Sequence, residues 1–248
     1  MRADGADMII GIYGYQDSGK TVLVEGAIKA LAGKGYSVSS IKHSPHKKSA
    51  DTEGKDTWRH WKAGSDPVVF SSDTETTVFR HGKMSEEDIA KLLLKEFAPD
   101  VVIIEGFKDG SFPRVSVGEI APRKGTVLKN PSVDELVAYI EREVAVERAL
   151  AALPKLDCHK CGLDCRKMAE GIADGKRKLD DCRELPAVDV FVSAGGKRVP
   201  AGTFVADLVD KTVRGLMSSL KGYEDGMDVE IRLSRKASQT KSRRRKTK

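Results

Sequence analysis

The hydrophobic pattern of the chain begins with an apolar run at residues 8–13, and glycine follows at position 14. Residues 21–34 then place apolar side chains at helical spacing, so the pattern predicts a strand, a loop and a helix in succession. Four apolar residues between Asp100 and Glu105 are typical of a strand buried inside a parallel sheet. The same reasoning predicts strands at 37–43, 67–71 and 76–80 and helices at 57–63, 85–97 and 134–150.

Strands alternate with helices throughout residues 1–150, which predicts an α/β domain with a mostly parallel sheet. Residues 151–186 form a four-cysteine segment. Its part at 158–182 is too short and too polar to form an apolar core of its own, so we expect it to need a bound ligand for order. The hydrophobic pattern of residues 187–233 predicts a small α+β module with strands at 188–193, 198–199 and 227–233 and a helix at 204–220. Residues 234–248 form a tail that we expect to be disordered.

The net charge of the chain comes from this tail. The 248 residues carry 43 Lys plus Arg against 37 Asp plus Glu, a formal charge of +6. Residues 234–248 contain eight basic side chains and no acid, which leaves a charge of −2 on residues 1–233. We therefore expect nucleic acid to bind only nonspecifically and only through the tail, if the tail does more than solubilise the chain.

Composition excludes several classes of protein. A hydrophobic fraction of 40% and a charged fraction of 32% suit a globular protein and exclude a largely disordered or collagen-like chain. No apolar run is long enough to cross a bilayer, and no hydrophobic leader precedes the first predicted strand. We therefore expect a cytoplasmic protein without a membrane partner.

Residues 14–21, GYQDSGKT, match the phosphate-binding pattern GxxxxGK[ST] between a predicted strand and a predicted helix. Glycines let backbone N–H groups turn toward phosphate oxygens, and the helix N-terminus adds partial positive charge. Lys20 can reach the β and γ phosphates, and the Thr21 hydroxyl can ligate Mg²⁺; the alternative is a glycine-rich turn with an ordinary exposed lysine. The pattern predicts a P-loop NTPase whose nucleotide contacts are Gly14, Tyr15, Gln16, Asp17, Ser18, Gly19, Lys20, Thr21 and Val22.

A phosphoryl-transfer site also needs an acid near the metal ion. Asp100 and Glu105 bracket one strand, and five residues of about 3.3 Å each separate them by about 17 Å, so they cannot share one Mg²⁺. Because ligands gather beyond the carboxyl ends of parallel strands, Glu105 is the candidate Mg²⁺ ligand and catalytic acid, and Asp100 is a strand-entry residue. The alternative for Glu105 is a surface carboxylate.

Residues 42–56 form a polar loop after the second predicted strand. Asp51 and Asp56 could bind a metal ion or water, and Asp56 is a further candidate catalytic residue. The basic side chains of the loop could neutralise a phosphate; they include Lys42, His43, His46 and Lys55. The alternative is a solvated charged loop. The two tryptophans that follow, Trp58 and Trp61, are expected to be core anchors.

These motifs together resemble the molybdopterin-guanine dinucleotide biosynthesis protein B family, a P-loop GTP-binding family. The resemblance covers about residues 8–145 and rests on GYQDSGKT, IKHSPHKKSADTEGKD, Ala63-Gly64 and DVVIIEGFKDGSFPRVSV. Many NTPases share the P-loop, whereas the IKH, DxxGxD and EGFK elements in that order are much more specific. The family's motif residues correspond to Lys20, Thr21, Asp51, Asp56, Glu105, Gly106 and Lys108. Of these, Lys20, Asp56 and Glu105 are the expected catalytic residues, and Asp51 and Lys108 are expected to contact the nucleotide.

The resemblance implies GTP binding with weak hydrolysis, a homodimer, and a supporting role in attaching GMP to molybdopterin. The chemistry itself would belong to a partner molybdopterin guanylyltransferase, with a pterin cofactor or a molybdoenzyme client as a further contact. Residue chemistry alone does not predict guanine specificity. The sole asparagine is Asn130, so the base-reading NKxD motif of many GTPases is absent.

Four cysteines lie within residues 158–182, and the chain has no others. In a reducing compartment such clustering indicates a metal rather than disulfides. Four thiolates can hold zinc or a [4Fe–4S] cluster. The segment resembles the small 4Fe–4S domain of corrinoid iron–sulfur proteins, although one spacing is x₃ where that domain commonly has x₄, which keeps zinc open. The ligands would be Cys158, Cys161, Cys165 and Cys182.

The leading hypothesis is a GTP-binding accessory protein for the guanylyl form of the molybdenum or tungsten pterin cofactor. Its cysteine segment would be structural or redox-sensing. Residues 187–233 resemble an extension of some family members and are interpreted as a partner-binding or dimer-forming module. The rival hypothesis is a metallocentre-maturation NTPase that couples hydrolysis to Fe–S or metal insertion. A small-molecule kinase is disfavoured because no acceptor-binding lid or base is identifiable.

Overall fold

The computed structural model describes residues 8–44, 49–106, 110–186, 188, 190–194 and 197–231. The chain divides into two compact units at the bond between Leu185 and Pro186. None of the helices in these described ranges is both long and apolar enough to cross a membrane.

The secondary structure follows a largely alternating order. The strands are β1 Met8–Gly14, β2 Val38–Lys42, β3 Val68–Ser71, β4 Thr76–Phe79, β5 Val101–Glu105, β6 Arg114–Val117, β7 Thr126–Lys129, β8 Val192–Ala194 and β9 Lys197–Val199. The helices are α1 Lys20–Gly33, α2 Asp56–Lys62, α3 Glu86–Phe97, α4 Val133–Ala152, α5 Cys165–Ala173 and α6 Thr203–Met217, with a 3₁₀ turn at Leu179–Asp181.

The central sheet has five strands in the order β2-β5-β1-β6-β7, and every pair in it is parallel. The prediction of an α/β fold with a mostly parallel sheet is therefore confirmed. Parallel neighbours end at the same edge, so Gly14, Lys42 and Glu105 lie at one edge of the sheet. The hairpins β3–β4 and β8–β9 are antiparallel and stand outside this sheet.

Helices cover both faces of the sheet because β5 is apolar on both faces. Val101 and Ile103 pack with α1 and α4, whereas Val102 and Ile104 pack with α3. Side chains alternate between the faces of a strand, so four consecutive apolar residues require two helical layers. Each fully buried aliphatic side chain stabilises this arrangement by about 1.5–3 kcal/mol.

Two parts of the fold differ from the sequence-based prediction. Strands β6 and β7 were not predicted. In β6 the buried Arg114 and Ser116 alternate with two valines, so this strand contains no apolar run. The strand predicted at 227–233 is wrong for its described part, since residues 227–231 lie in no strand. Alternation alone does not make a strand when no neighbouring strand supplies hydrogen bonds.

The cysteine segment packs on the carboxyl-terminal half of α4. Met168 and Ala169 of α5 are buried with Val146 and Leu153 in a small apolar cluster. On the rim of this cluster, Arg166 forms an ion pair with Glu143 of α4 at 2.8 Å. The expectation that the segment has no apolar core of its own is consistent with this arrangement, because a helix of the preceding domain supplies half of the cluster.

Asp100 anchors the start of β5, at the edge opposite the P-loop. Its carboxylate accepts hydrogen bonds from the Ser37 backbone N–H at 2.7 Å and the Ser37 hydroxyl at 2.9 Å. Arg148 of α4 donates a further hydrogen bond at 2.6 Å. Burial alone would raise the pKa of Asp100, but these hydrogen bonds outweigh burial and hold the pKa below its ordinary value.

Asp100→Asn should lower the free energy of unfolding by about 1–3 kcal/mol at neutral pH, because hydrogen bonds to a charged group are lost. A lowered pKa in the folded state stabilises the protein above the unfolded pKa of about 3.9, and the benefit is lost as pH falls through the folded value. Denaturant unfolding from pH 7 to pH 2 should show the two proteins converging in acid. Asp73→Asn, in the exposed β3–β4 turn, should show no such convergence; equal stability of Asp100→Asn and wild type at pH 7 would contradict the prediction.

Candidate functional site

The predicted phosphate-binding loop leads directly from the end of β1 into the start of α1. Gly14 is the last residue of the central strand, and Lys20 is the first residue of the helix. Asp17 and Gly19 have positive φ angles of 56° and 87°, which turn the chain back within a few residues. The first turn of a helix presents backbone N–H groups without intrahelical acceptors, which favours an anion at this position.

Gly14 is required by its surroundings. A Cβ atom at this position would lie 2.2 Å from the Val117 carbonyl oxygen and 2.6 Å from the Ser18 hydroxyl oxygen. Asn130 holds the end of β6 beside the loop, since its side-chain oxygen accepts a hydrogen bond from the Gly118 N–H at 2.6 Å. The sole asparagine therefore supports the loop architecture.

Lys20 folds back over its own loop. Its ammonium group donates hydrogen bonds to the Tyr15 carbonyl oxygen and, at 3.3 Å, to the Ser18 hydroxyl. The positive charge thus lies within the curve of the loop, where a phosphate group would be received. The side chains of Tyr15 and Val22 point to solvent, so their contribution to phosphate binding rests on their backbone.

Thr21 and Glu105 meet at the edge of the sheet, as a shared metal site requires. The Thr21 hydroxyl donates a hydrogen bond to the Glu105 carboxylate at 2.8 Å. Glu105 is only 5% exposed, and Lys42 forms an ion pair with the same carboxylate oxygen. Lys42 also donates a hydrogen bond to the Thr21 hydroxyl at 3.3 Å. The structure therefore brings a hydroxyl, a buried carboxylate and an ammonium group together beside the P-loop.

His43 continues this edge with a partner that sequence reasoning missed. Its Nδ1 atom contacts the carboxylate of Glu86 in the first turn of α3, and Glu86 is buried. The His43 backbone N–H donates to the Glu105 carbonyl oxygen at 2.8 Å, which ties the ends of β2 and β5 together. Acidic residues are common in the first turn of a helix because they interact favourably with the helix dipole. The sequence therefore did not distinguish Glu86 from Glu87 and Asp88, which lie in the same turn.

Asp51 and Asp56 have opposite surroundings. Asp51 is buried, accepts a hydrogen bond from the Thr57 hydroxyl at 2.7 Å and lies 3.7 Å from the His81 imidazole. The Asp56 side chain is 88% exposed and lies 3.7 Å from Arg59. Across the described part of the chain, neither carboxylate forms a hydrogen bond or ion pair with Thr21 or Glu105.

The two tryptophans on α2 are half-buried and lie outside the apolar clusters, so the prediction that they anchor the core is wrong. Trp61 stacks on His81 with the ring centroids 3.9 Å apart. This stack joins α2 to the residues that follow β4. It accounts for the position of the Trp61 side chain, and no bound ligand is needed to explain it. His46 and Lys108, which were also predicted at the site, lie outside the described residues.

None of the four cysteines forms a disulfide, and three of them pack against the small apolar cluster between α4 and α5. Cys158 is exposed, while Cys161, Cys165 and Cys182 are partly buried against the cluster. Burial raises the pKa of the Cys182 thiol, and the other three cysteines add to the rise. No group of three or more His, Cys, Asp or Glu side chains within the described ranges is drawn together tightly enough to hold a metal ion. The chemistry of the donor set fits a thiolate-bound centre.

Comparisons with known proteins match both the P-loop domain and the cysteine segment. The family model "Molybdopterin guanine dinucleotide synthesis protein B" matches residues 9–142, and the model "Putative Fe-S cluster" matches residues 153–183. A Methanocaldococcus jannaschii protein named "Putative molybdopterin-guanine dinucleotide biosynthesis adapter protein" is 30% identical over 91% of this chain and 97% of its own length.

Further relatives match a smaller share of the chain. A Haemophilus influenzae protein named "Molybdopterin-guanine dinucleotide biosynthesis adapter protein" is 33% identical over 56% of this chain and 76% of its own length. The crystal structure of Bacillus subtilis MobB aligns with a TM-score of 0.41 and 22% identity over 53% of this chain and 93% of that chain.

Gly14→Ala should lower the free energy of unfolding by about 1–3 kcal/mol, because its methyl group would overlap the Val117 carbonyl oxygen. Gly33→Ala at the end of α1 is the matched control, since a Cβ atom there meets nothing within 4 Å. Thermal and denaturant unfolding measure both changes. An unchanged stability in Gly14→Ala would mean that the loop does not pack on β6 as described.

Proposed function

The chain belongs to the molybdopterin guanine dinucleotide synthesis protein B family, and we propose that it is a GTP-binding adapter in the synthesis of the molybdenum or tungsten pterin guanine dinucleotide cofactor. It binds GTP with Mg²⁺, hydrolyses it slowly and assists a partner guanylyltransferase that performs the transfer. The observation that carries this proposal is the juxtaposition of the P-loop with the Thr21–Glu105 pair at one edge of the sheet.

The phosphate groups of the nucleotide are held by the loop between β1 and α1. Backbone N–H groups and the N-terminus of α1 face the phosphate oxygens, and the Lys20 ammonium group exchanges its contacts within the loop for contacts to the β and γ phosphates. The aliphatic packing of α1 beneath the loop keeps these groups in place.

Thr21 and Glu105 supply the protein oxygens for Mg²⁺. A hydroxyl at the start of the helix and a carboxylate at the end of the adjacent strand are hard ligands of the kind that Mg²⁺ prefers. When bound, Mg²⁺ neutralises charge on the phosphates. Burial of Glu105 strengthens its attraction for a cation because water screens the charge less there.

Slow hydrolysis is consistent with the surroundings of the two loop acids. Asp51 already accepts a hydrogen bond from Thr57, and the Asp56 side chain points into solvent beside Arg59. Positioning of an attacking water is a major part of fast phosphoryl transfer. A catalytic contribution from Asp56 and nucleotide contacts by Asp51 and Lys108 stay predictions.

The cysteine segment is proposed to hold a [4Fe–4S] cluster, with zinc as the alternative. Support comes from the Fe-S family match at residues 153–183 and from the packing of Cys161, Cys165 and Cys182 against one apolar cluster, with Cys158 exposed in the same segment. The [4Fe–4S] cluster would have a structural or redox-sensing role, since all four of its cysteine ligands come from one short segment that packs on α4. The proposal requires the four thiolates to close in around the metal.

The partners proposed for the protein are a guanylyltransferase, the pterin cofactor or a molybdoenzyme client, and a second copy of the chain. We further propose that it acts in the cytoplasm. Co-purification of the tagged full-length chain with a pterin guanylyltransferase, and gel filtration with light scattering, test the partner and the dimer separately.

Lys20→Ala should abolish GTP binding, because it removes the charge held within the loop, and should leave metal content unchanged. Lys29→Ala, on the exposed face of α1, is the matched control and should bind GTP as the wild type does. Fluorescence titration with a labelled GTP analogue and metal analysis measure the two properties. Tighter binding of ATP than of GTP would contradict the proposed nucleotide.

Cys182→Ser should lower iron content and the visible absorption of anaerobically purified protein, because one of four ligands loses its thiolate. GTP binding should be retained, which makes this variant and Lys20→Ala reciprocal controls. Iron analysis and absorption spectroscopy are the measurements. Stoichiometric zinc without a visible band would overturn the cluster and leave the zinc alternative.

A further inference from the structure

Lys42 lies between the two groups that are proposed to bind Mg²⁺. Its ammonium group forms an ion pair with the Glu105 carboxylate and also donates a hydrogen bond to the Thr21 hydroxyl at 3.3 Å. The Thr21 hydroxyl in turn donates to the same carboxylate oxygen at 2.8 Å. The ammonium group therefore uses an oxygen of each of the two candidate metal ligands.

The register of the sheet favours this arrangement. Lys42 and Glu105 are direct partners in the register of β2 and β5, and each is the last residue of its strand. Thr21 lies in the first turn of α1, which begins where the neighbouring strand β1 delivers the P-loop. The neighbouring strands β2, β5 and β1 thus bring the Lys42 ammonium group to the Thr21 hydroxyl and the Glu105 carboxylate.

The buried carboxylate needs this cation when no metal is bound. Glu105 is only 5% exposed, and a buried carboxylate without a counter-charge carries a large desolvation penalty. The Lys42 side chain is 62% exposed, so it can leave Glu105 for solvent at little cost in packing. Its four-carbon stem is flexible, which permits a second position for the ammonium group.

We propose that Lys42 is an internal counter-ion that occupies the metal position of the nucleotide-free protein and is displaced when Mg²⁺ enters with the nucleotide. The inference rests on the proposed Mg²⁺–nucleotide site. Mg²⁺ and an ammonium group that both contact the same carboxylate oxygen and the same hydroxyl oxygen lie close together and repel each other, so each weakens the binding of the other. The displaced ammonium group then lies beside the phosphates, where its charge favours the bound nucleotide.

Two consequences separate this role from that of an ordinary surface lysine. Without nucleotide, Lys42 opposes divalent ions, so the site does not fill with Mg²⁺ alone. With nucleotide but without a divalent ion, Lys42 supplies positive charge near the phosphates, so metal-free GTP still binds. Removal of the ammonium group should therefore strengthen metal binding and weaken metal-free GTP binding at the same time.

The test uses the full-length chain and manganese(II) chloride as the probe, with free Mn²⁺ measured by electron paramagnetic resonance. In Lys42→Met, Mn²⁺ should bind the nucleotide-free protein about tenfold more tightly than in the wild type, because one charged competitor is removed. GTP affinity in EDTA, measured by fluorescence titration, should fall about tenfold for the same reason. Lys42→Arg keeps the charge and should resemble the wild type in both measurements.

Lys34→Met is the matched control, since Lys34 pairs with Glu141 at 2.7 Å away from the P-loop and should change neither affinity. Lys42→Gln replaces Lys42→Met if thermal unfolding shows that the methionine variant does not fold. If the wild type and the neutral Lys42 variant bind Mn²⁺ with equal affinity while both still bind GTP in the presence of Mg²⁺, the inference about Lys42 is overturned and the proposed function is not. Failure of the wild type to bind GTP with or without Mg²⁺ would instead overturn the proposed function.

Discussion

The parallel pairing of β5 with β1 on one side and β2 on the other is the interaction on which the site depends. Glu105 is the register partner of Ile12 and of Lys42. A slip of one residue in either pairing would turn the Glu105 side chain to the other face of the sheet, because side chains alternate along a strand. The register is held by the apolar residues of β5, which fill the layers on both faces. The burial that stabilises the sheet therefore also places the acid beside the P-loop.

Helix α4 is a shared support for the two functional parts of the first unit. Its first half packs against α1, through residues such as Leu136 and Ile140, and thereby steadies the helix that begins at the P-loop. Its second half buries Val146 against Met168 of the cysteine segment. The capping box formed by Ser132 and Glu135 fixes the start of this helix. The nucleotide site and the cysteine segment thus have one helix in common, although they lie on different parts of it.

Local patterns predicted those parts of the site whose chemistry is contained in a short segment. The P-loop is recognisable because its glycines, its lysine and its threonine have required spacings, and Glu105 because it ends an apolar run. Glu86 and His81 escaped prediction because their partners, His43 and Asp51, are 43 and 30 positions away in the sequence and meet them only through packing. Strand β6 escaped because its two valines alternate with a buried arginine and a buried serine, so it contains no apolar run.

The fold class, the phosphate-binding loop and the acid at the end of β5 can all be recognised in the amino-acid sequence, since each depends on residue spacing within one element or at one junction. Which side chains face that acid depends on how distant elements pack. Lys42 is one basic residue among several in a charged loop by sequence, and it contacts Glu105 because β2 pairs with β5 rather than with another strand. Asp51 turns inward and Asp56 turns outward for the same kind of reason: the helix and hairpin that surround them set the burial of each carboxylate. Contacts between distant segments are a property of the packed sheet, and no local pattern encodes them.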